Sequence, residues 1–138
     1  MLEGIVENYM TKSPVVIQEN ASLKEAWRVL EEKKFKHLPV INDSGEVSGM
    51  LSDTDIRNMK TLFTHLEKNI DSYTSNLTVK DVMTAKVLTI TPEARIEDAN
   101  DLLLSNGIHC LPVLTGNHII GIISETDILH YYNEKYSS

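Results

Sequence analysis

The sequence is poor in cysteine and in long apolar runs. Its single cysteine, Cys110, excludes an intrachain disulfide, and we therefore expect a reducing compartment. No stretch approaches the ~18 consecutive apolar residues that a membrane-spanning helix needs. The first residues lack the basic and apolar regions of a secretion signal. The sequence thus predicts a cytoplasmic protein that does not insert into a membrane.

Positive charge is also scarce, which bears on the class of partner. Lys and Arg number 13 against 20 Asp and Glu, and the formal net charge is −7. Binding to a nucleic-acid backbone needs a concentrated basic surface. The densest basic run, Lys33, Lys34 and Lys36, follows two glutamates and is typical of a solvated helix end. We therefore expect no nucleic-acid partner.

Motifs of catalysis and metal binding are missing as well. The histidines are His37, His65, His109, His118 and His130. None of them has zinc-type spacing, and the sequence contains no Cys-x-x-Cys, His-Glu-x-x-His, nucleophile-elbow or phosphate-loop motif. Cys110 lies in an apolar stretch, where a buried structural cysteine is more common than a nucleophile. We predict no catalytic residue, no metal site and no enzyme activity.

What the sequence does contain is an internal repeat. A shift of 73 residues aligns the first half with the second, and after a one-residue loop difference the shift becomes 72. The matched identities include Val6 with Val79, Met10-Thr11 with Met83-Thr84, Leu38-Pro39-Val40 with Leu111-Pro112-Val113, Gly49 with Gly121, Ser52 with Ser124, and Thr54-Asp55-Ile56 with Thr126-Asp127-Ile128. Matches this dense, in one order, identify a tandem duplication.

Each copy predicts the same series of elements, β-α-β-β-α. Short β-branched runs predict a first strand at residues 15–17 and 87–90. Apolar runs joined by polar turns predict hairpins of residues 37–41 with 47–51 and of residues 110–114 with 119–123. A second helix is predicted to begin near Asp55 or Asp127. In the first copy its helical spacing reaches about Asn69, and residues 71–78 read as a connecting loop.

An amphipathic helix is predicted between the first strand and the hairpin. It begins at a capping box, Ser22 to Glu25, in the first copy and at Thr91-Pro92 in the second. The apolar stripe has three- and four-residue spacing. Its members are Leu23, Ala26, Trp27 and Leu30 in the first copy and Ile96, Ala99, Leu102 and Leu103 in the second.

The predicted fold class is therefore α/β (α+β), built from two repeats. Residues 1–70 form the first repeat with its extended C-terminal helix, and residues 71–138 form the second. One repeat alone cannot bury both faces of a three-stranded sheet. We expect the two to pack sheet to sheet about a pseudo-twofold axis and to form one domain.

A Ser-x-x-Asp motif closes the second hairpin strand of each copy, as Ser52 with Asp55 and Ser124 with Asp127. An ionised carboxylate can accept both hydrogens of a ribose diol, and a serine hydroxyl with the amides of a helix start can meet a phosphate. One such motif alone is more often a helix cap. Its occurrence at matched positions in both copies favours nucleotide binding.

The sequence resembles the CBS-domain family over residues 5–57 and 78–131. The marks of the resemblance are Met-Thr before the first strand, the amphipathic helix, Leu-Pro-Val and Gly-x-x-Ser-x-x-Asp-Ile, and both copies carry the whole set. The resemblance implies a tandem pair, or Bateman module, that binds AMP, ADP or ATP as a regulatory ligand, with or without magnesium. It also implies a homodimer that modulates an unidentified target protein.

The resemblance further implies two composite clefts. In the first, Asp55 would hold the ribose and Ser52 a phosphate, with the remaining ligand-binding residues being Met50, Lys36, His37, Val87, Leu88 and His109. In the second, Asp127, Ser124 and Ile122 take the same roles, with Pro14 and Val15 as walls. Family members often carry arginine where His37 and Cys110 stand here, and Arg57 is matched by Leu129. We therefore expect unequal affinities.

Alternatives remain open from the sequence. The ligand could be S-adenosylmethionine or NAD rather than AMP, ADP or ATP. The chain could instead be an interaction or dimerisation module whose clefts are vestigial. Because no effector domain is fused within these 138 residues, we expect the output to act in trans. Its surfaces would be the helix with Met59, Phe63, Leu66 and Ile70, or the tail with Tyr131, Tyr132 and Tyr136.

Overall fold

The structure is a computed structural model that describes residues 2–65 and 76–137, except for the side chains of residues 62–65. In chain order the elements are α1 (Val6–Tyr9), β1 (Thr11–Lys12), β2 (Ile17–Gln18), α2 (Leu23–Lys33), β3 (His37–Ile41), β4 (Val47–Ser52), α3 (Asp53–His65), α4 (Val79–Val82), α5 (Ile96–Asn106), β5 (Cys110–Thr115), β6 (His118–Ser124) and α6 (Glu125–Tyr136). They form two small sheets with helices, the mixed α/β class that the sequence predicts.

The chain divides into two compact units, and their residue ranges differ from those of the two repeats. Unit 2 is Val15–Val87, and unit 1 joins Met1–Pro14 to Leu88–Ser138. The expected division at residues 70 and 71 follows the repeats, whereas in the structure each N-terminal segment packs on the sheet of the other copy. Val6 thus lies in the core of unit 1, and Val79 lies in the core of unit 2.

Unit 2 contains the sheet β2-β3-β4. β3 and β4 form the antiparallel hairpin, with Leu38 opposite Leu51, and β2 pairs with β3 in parallel. β3 buries three consecutive residues, Leu38, Pro39 and Val40, whereas β4 buries Gly49 and Leu51 alternately, as the period of two in a pleated strand predicts. The fully buried side chains of this core include Leu23, Leu38, Val40, Leu51 and Ile56.

Unit 1 repeats this arrangement with the sheet β1-β6-β5. β5 and β6 are antiparallel, and the two-residue β1 adds to β6 with Thr11 opposite Ile122. The parallel first strand of unit 2 has only an isolated bridge as its counterpart, between Ile90 and Val113. The core includes Ile96, Leu111, Val113, Ile123 and Val6.

The Met-Thr segments make the exchanged contacts. In unit 2 the backbone N–H of Met50 donates to the carbonyl of Thr84 and the Thr84 N–H donates to the Met50 carbonyl, both at 2.9 Å. In unit 1 the equivalent pairing joins Thr11 to Ile122. The segment therefore completes the edge of a sheet whose strands come from the other copy.

Glycine is required where these segments cross the hairpin. A Cβ atom at Gly49 would lie 2.8 Å from the Thr84 carbonyl oxygen, and one at Gly121 would lie 3.0 Å from the Thr11 carbonyl oxygen. Both separations are shorter than normal carbon–oxygen contacts, and a backbone atom cannot rotate away. The matched glycines of the repeat thus have a packing role.

The predicted amphipathic helices are confirmed. α2 buries Leu23, Ala26 and Leu30, and its Ser22 cap accepts a bond from the Glu25 N–H at 3.1 Å. The serine half of the predicted capping box is therefore present. α5 buries the matched stripe, Ile96, Ala99 and Leu103, with Trp27 and Leu102 half-buried at the edges of the two stripes.

The start predicted for the second of these helices is wrong. α5 begins at Ile96 rather than at Thr91-Pro92. The reason is tertiary: the carbonyl of Pro92 accepts the Glu7 N–H at 2.9 Å and the carbonyl of Ala94 accepts the Val6 N–H at 2.8 Å. The segment that was predicted to start the helix therefore has an extended role: its carbonyl groups accept hydrogen bonds from the first residues of α1.

The predicted strands differ in accuracy. β3 has the predicted bounds, and β4, β5 and β6 extend the predicted runs by one or two residues. Val15 and Val16 do not pair, and neither do Val87 and Leu88, because the chain passes from one unit to the other at these positions. The turn after β3 is confirmed by Asn42, whose Oδ1 accepts two backbone N–H groups at 3.0 Å.

The helix after β4 is described as far as His65. Met59 packs against the core of unit 2. The predicted extension to about Asn69, most of the predicted loop at 71–78, and the roles suggested for Phe63, Leu66 and Ile70 lie outside the described residues and side chains. Among the helices that are described, none is long and apolar enough to cross a membrane.

Aromatic contacts join the first and last segments of unit 1. The Tyr9 ring meets the buried Tyr131 ring edge to face at 5.0 Å, and the Tyr9 hydroxyl donates to Glu134 Oε2 at 2.7 Å. This hydrogen bond is the main cause that raises the pKa of Tyr9 to about 12. The Tyr131 hydroxyl in turn donates to Glu97 Oε1 at 3.1 Å, so this buried hydroxyl group has a hydrogen-bond partner.

The substitution Gly49→Ala tests the crossing of the Met-Thr segment. We expect it to destabilise the protein by about 1–3 kcal/mol, because β4 and Thr84 must separate to admit the new methyl group. Thermal and urea unfolding give the change. Ser48→Ala on the same strand is the control, since the buried Ser48 hydroxyl has no hydrogen-bond partner among the described residues and its removal costs little. Equal stability of the two variants would contradict the packing role.

Candidate functional site

The end of the hairpin in unit 2 gathers most of the first predicted set. β3 and β4 place His37 opposite Ser52 and Pro39 opposite Met50. The chain then turns directly into α3, and the Asp53 N–H donates to the Lys36 carbonyl at 2.9 Å. Lys36 is exposed, while the other residues named here are at least partly buried. These residues therefore share one edge of one unit.

Ser52 and Asp55 bond to each other across the first turn of α3. The Asp55 N–H donates to Ser52 Oγ at 3.0 Å, and the Ser52 N–H donates to Asp55 Oδ2 at 3.4 Å. This reciprocal pair is a helix cap. It fixes both side chains in place, and the described bonds of Asp55 leave Oδ1 available as an acceptor.

Unit 1 holds the second predicted set in the same arrangement. Its strands place Cys110 opposite Ser124, and Ile122 opposite both Pro112 and Thr11. The Ser13 N–H donates to the Ile120 carbonyl at 3.4 Å, so the segment from Thr11 to Ser13 runs along β6 away from Ser124, and Pro14 follows it. Pro14 and Ile122 are partly buried.

The cap of α6 differs from that of α3 in one hydrogen bond. The Ser124 N–H donates to Asp127 Oδ2 at 2.9 Å, and the Ser124 hydroxyl donates to the same oxygen at 3.1 Å. In unit 2 the Ser52 hydroxyl accepts a hydrogen bond from the Asp55 N–H, and none of the described bonds has it as a donor. The hydroxyl proton of Ser52 is thus available to an incoming acceptor, whereas that of Ser124 already has one.

The predicted walls belong partly to the other unit. Val87 lies in unit 2 with Asp55, but Leu88 and His109 lie in unit 1. Val15, expected beside Asp127, lies in unit 2. The side chains of Val15 and Leu88 are 37% and 41% exposed, so both are partly accessible to solvent. The composite clefts themselves stay a prediction.

His109 has a neighbour that the sequence did not suggest. Its Nδ1 contacts Glu125 Oε1, and the Glu125 N–H donates to the His109 carbonyl at 3.1 Å. A carboxylate beside the imidazole disfavours a second anion there. The matched residue in the first copy, Lys36, has a cationic side chain, so the two edges offer phosphate different electrostatic surroundings.

The sequence also missed the part played by Thr84 and Thr11. Their backbones pair with Met50 and Ile122, the residues expected to line the pockets. The Met-Thr dipeptide is repeated in the sequence and indicates the duplication. It does not indicate which residues the threonine backbone pairs with.

The structure describes the surroundings of Cys110 and of most side chains that could bind a metal ion. Burial raises the pKa of the Cys110 thiol to about 11, with a smaller contribution from Glu125. Because the thiolate is the nucleophile, this shift lowers its reactivity near neutral pH. Within residues 2–65 and 76–137 there is no group of three His, Cys, Asp or Glu side chains that could hold a metal ion.

A family model decides the relationship. The CBS-domain model matches the chain twice, over residues 6–60 and 79–134. The chain belongs to the CBS-domain family. The two matches make it a tandem CBS pair, as the repeat predicts. CBS-pair proteins are generally regulatory rather than catalytic.

Relatives of this CBS pair include a protein of similar length. The uncharacterized protein MJ1426 of Methanocaldococcus jannaschii is 30% identical over 145 residues, which cover 86% of this chain and 85% of that protein. The homoserine O-acetyltransferase of Methanohalobium evestigatum is 30% identical over 130 residues, covering 94% of this chain. The chain spans only 24% of that enzyme.

Solved structures share the fold of this CBS pair. CBSX2 of Arabidopsis thaliana superimposes with a TM-score of 0.83 at 30% identity, covering 99% of this chain and 100% of that one. A CBSX2 structure in complex with AMP gives a TM-score of 0.81 at 29% identity, covering 96% and 98%. The CBS pair of MJ0100, solved with methylthioadenosine and S-adenosylmethionine, gives 0.79 at 21% identity, covering 97% and 99%.

The buried thiol yields a prediction about reactivity. At pH 8 we expect iodoacetamide to alkylate Cys110 in the folded protein at least about tenfold more slowly than in guanidinium chloride, because the raised pKa leaves little thiolate. Mass spectrometry of timed samples measures both rates. Equal rates in the folded and unfolded protein would contradict the burial of this cysteine and reopen a chemical role.

Proposed function

We propose that this CBS pair binds an adenosyl ligand, AMP, ADP or ATP, as a regulatory sensor and catalyses no reaction. The observation that carries the proposal is the Ser-Asp pair that closes the hairpin of each unit, Ser52 with Asp55 and Ser124 with Asp127. Each pair combines a fixed carboxylate with a hydroxyl at a helix start, next to partly exposed apolar residues. A nucleotide offers groups that match all three.

The carboxylate is suited to the ribose. In each unit the cap uses Oδ2 of the aspartate, and Oδ1 has no described partner. A carboxylate has about four lone-pair sites, so both ribose hydroxyls can donate to it while the cap persists. The cap thus orients the acceptor before the ligand arrives, which reduces the entropy lost on binding.

The phosphate preference is proposed to differ between the units. Ser52 has its hydroxyl proton available and lies near Lys36, whereas Ser124 donates to Asp127 and its neighbour His109 contacts Glu125. The unit 2 edge therefore suits a more highly charged phosphate, and the unit 1 edge suits a nucleoside or a monophosphate. Magnesium would accompany only a polyphosphate.

Similarity supports the ligand class. CBSX2, 29% identical to this chain over nearly its whole length, has been solved in complex with AMP. We propose that the ligand shifts the equilibrium between two conformations of this chain and that a separate cytoplasmic target protein distinguishes them. We further propose that the chain forms a homodimer.

The alternative function is an interaction module with vestigial clefts. The caps of α3 and α6 favour it, because they account for Ser52, Asp55, Ser124 and Asp127 without any ligand. Under that alternative no adenosyl compound stabilises the protein.

Ligand screening separates the two functions. We expect at least one of AMP, ADP, ATP, S-adenosylmethionine and NAD to raise the unfolding midpoint. At a concentration a hundredfold above its dissociation constant, a ligand raises the free energy of unfolding by about 2.7 kcal/mol. Calorimetry with the stabilising compound is expected to resolve two unequal sites. No shift with any of the five compounds would favour the interaction module.

The substitutions Asp55→Asn and Asp127→Asn test the site assignment. Each removes the charge that receives the ribose hydroxyls, and we expect affinity at that site to fall about tenfold to a hundredfold, corresponding to ~1.5–3 kcal/mol. Asp53→Asn is the matched control in α3, since Asp53 pairs with Arg57 at 2.8 Å and not with Ser52. Asp98→Asn serves for unit 1. Full affinity in both aspartate variants would show that the assignment is wrong.

A further inference from the structure

The outer edge of β2 in unit 2 has no strand beside it among the described residues. The sheet order is β2-β3-β4, and β2 pairs with β3 alone. The Glu19 N–H donates to the Ile41 carbonyl at 2.9 Å, so the backbone groups of Ile17 and Glu19 are directed toward β3. Because these groups alternate along a strand, those of Val16 and Gln18 are directed outward.

Three of the outward backbone groups are available to a further strand. The Gln18 carbonyl accepts the Ala21 N–H at 3.0 Å. The Val16 N–H, the Val16 carbonyl and the Gln18 N–H have no backbone partner within residues 2–65 and 76–137. An edge with such unpaired groups is a template for the addition of an extended segment.

A groove with a volume of about 590 Å³ lies beside this edge, between β2 and α2. Ile17, Ala21 and Val29 supply its apolar surface, and its charged lining residues are Glu25 and Asp43. Both acids are exposed, and no lysine or arginine is among the described residues that line the groove. The groove therefore combines an apolar wall with negative charge.

The acids and the apolar wall lie toward opposite ends of β2. Since β2, α2 and β3 form a parallel strand-helix-strand unit, α2 runs back along the strands. Val29 thus lies nearer the start of β2, and Glu25, one helical turn earlier, lies nearer its end. Asp43 is at that end too, because it follows Ile41, which is opposite Gln18.

The spacing along this wall suits an extended chain. Residues four apart on a helix, such as Glu25 and Val29, have Cβ atoms about 5–6 Å apart. Alternate residues of a strand face the same side and are about 6.8 Å apart. A strand added to β2 can therefore place one side chain against Val29 and the next side chain on that face beside Glu25.

We infer that an extended, basic segment of a partner protein binds beside β2 as an additional strand. Its main chain bonds to the free backbone groups of Val16 and Gln18. One apolar side chain packs on Val29, and a lysine or arginine two positions away pairs with Glu25 and Asp43. The net charge of −7 favours the approach of such a segment.

The inference concerns the target protein and does not depend on an adenosyl ligand. It places the segment away from the proposed ligand residues of unit 2, because Ser52 is opposite His37 at the start of β3, whereas β2 pairs with Val40 and Ile41 at its end. The two proposals can therefore fail separately.

The second copy differs at the acidic end of this groove and supplies control positions. A shift of 73 residues places Gly116 at the position of Asp43, so one of the two acids is missing there. Thr89 and Asp98 match Val16 and Glu25, and both are exposed. Substitutions at these two positions change the same kinds of group outside the groove.

A short peptide tests the inference directly. The probe is fluorescein-labelled Thr-Lys-Thr-Val-Thr-Lys-Thr, which has a lysine two positions from its valine in either strand direction. The control peptide, Lys-Lys-Thr-Thr-Val-Thr-Thr, has the same composition with a different spacing. Fluorescence anisotropy with the full chain, without nucleotide, measures both affinities. We expect a dissociation constant below about 1 mM for the probe and at least about tenfold weaker binding of the control peptide.

Two variants of the chain separate the charge from the backbone contribution. Glu25→Lys combined with Asp43→Lys reverses both acids, and Val16→Pro removes one outward N–H while the ladder to β3 keeps its donors. Each is expected to weaken binding of the probe at least about tenfold. The acidic peptide Thr-Glu-Thr-Val-Thr-Glu-Thr is expected to bind the charge-reversed variant and not the parent chain.

Asp98→Lys and Thr89→Pro are the matched controls, and we expect both to bind the probe as the parent chain does. Circular dichroism and unfolding midpoints establish that each variant is folded. If Val16→Pro does not fold, the peptide pair and the charge-reversed variant decide the outcome.

Several outcomes overturn the inference. Absence of saturable binding of the probe up to about 1 mM shows that the edge does not accept this segment. Equal affinity for the control peptide, or equal losses in Asp98→Lys and the charge-reversed variant, shows attraction by net charge alone. Full affinity in a folded Val16→Pro variant shows that the segment does not bind as a strand. None of these results bears on the adenosyl ligand, because the titrations contain no nucleotide.

Discussion

The pairing of each Met-Thr segment with the hairpin of the other copy is the contact on which the structure depends. In unit 2 two backbone hydrogen bonds of 2.9 Å join Met50 to Thr84, across a strand that Gly49 leaves free of a side chain. Unit 1 has the same crossing at Gly121. The sheet of unit 1 has only two of its three strands until β1 pairs with β6, and in unit 2 the Thr84 bridge covers the outer edge of β4. The duplication is therefore two interdependent parts rather than two independent repeats.

The same crossing places the proposed ligand residues. Met50 and Ile122 are held by the exchanged segments, and the strands that contain them end two residues later at Ser52 and Ser124. The serine then caps a helix together with an aspartate three residues on. The cap engages one carboxylate oxygen of each aspartate, so the proposed ribose contact would use the other oxygen. The proposed ligand residues are thus held in position by backbone pairing and by the caps.

Sequence reasoning was most accurate where local pattern determines structure. The bounds of β3 follow from an apolar run that ends at a polar turn, and the buried stripe of α2 follows from helical spacing. The matched stripe of α5 follows from the repeat. It was wrong about the start of α5, where the carbonyls of Pro92 and Ala94 hold α1. That contact joins residues far apart in sequence, and no local pattern encodes it.

The positions of the candidate site residues in the fold were predictable to a similar extent. Ser52, Asp55 and their counterparts stand out because the duplication shows them twice. The contact between His109 and Glu125 could not be predicted from the sequence. A carboxylate at a helix start is common, and the hairpin geometry determines which side chain lies beside it. Likewise, the division of the walls between the units depends on where the chain crosses, at residues 14–15 and 87–88.

The Tyr9–Glu134 hydrogen bond has a consequence for synthesis. It joins two residues that are 125 positions apart, whereas unit 2 is one continuous stretch, Val15–Val87. A ribosome therefore releases everything that unit 2 requires while α6 is still untranslated. Residues 1–14 leave the ribosome before unit 2 does, and the surface on which they pack is completed only after unit 2. During that interval β6, with which β1 pairs, has not been made, and the residues that form the core around Val6 are still missing.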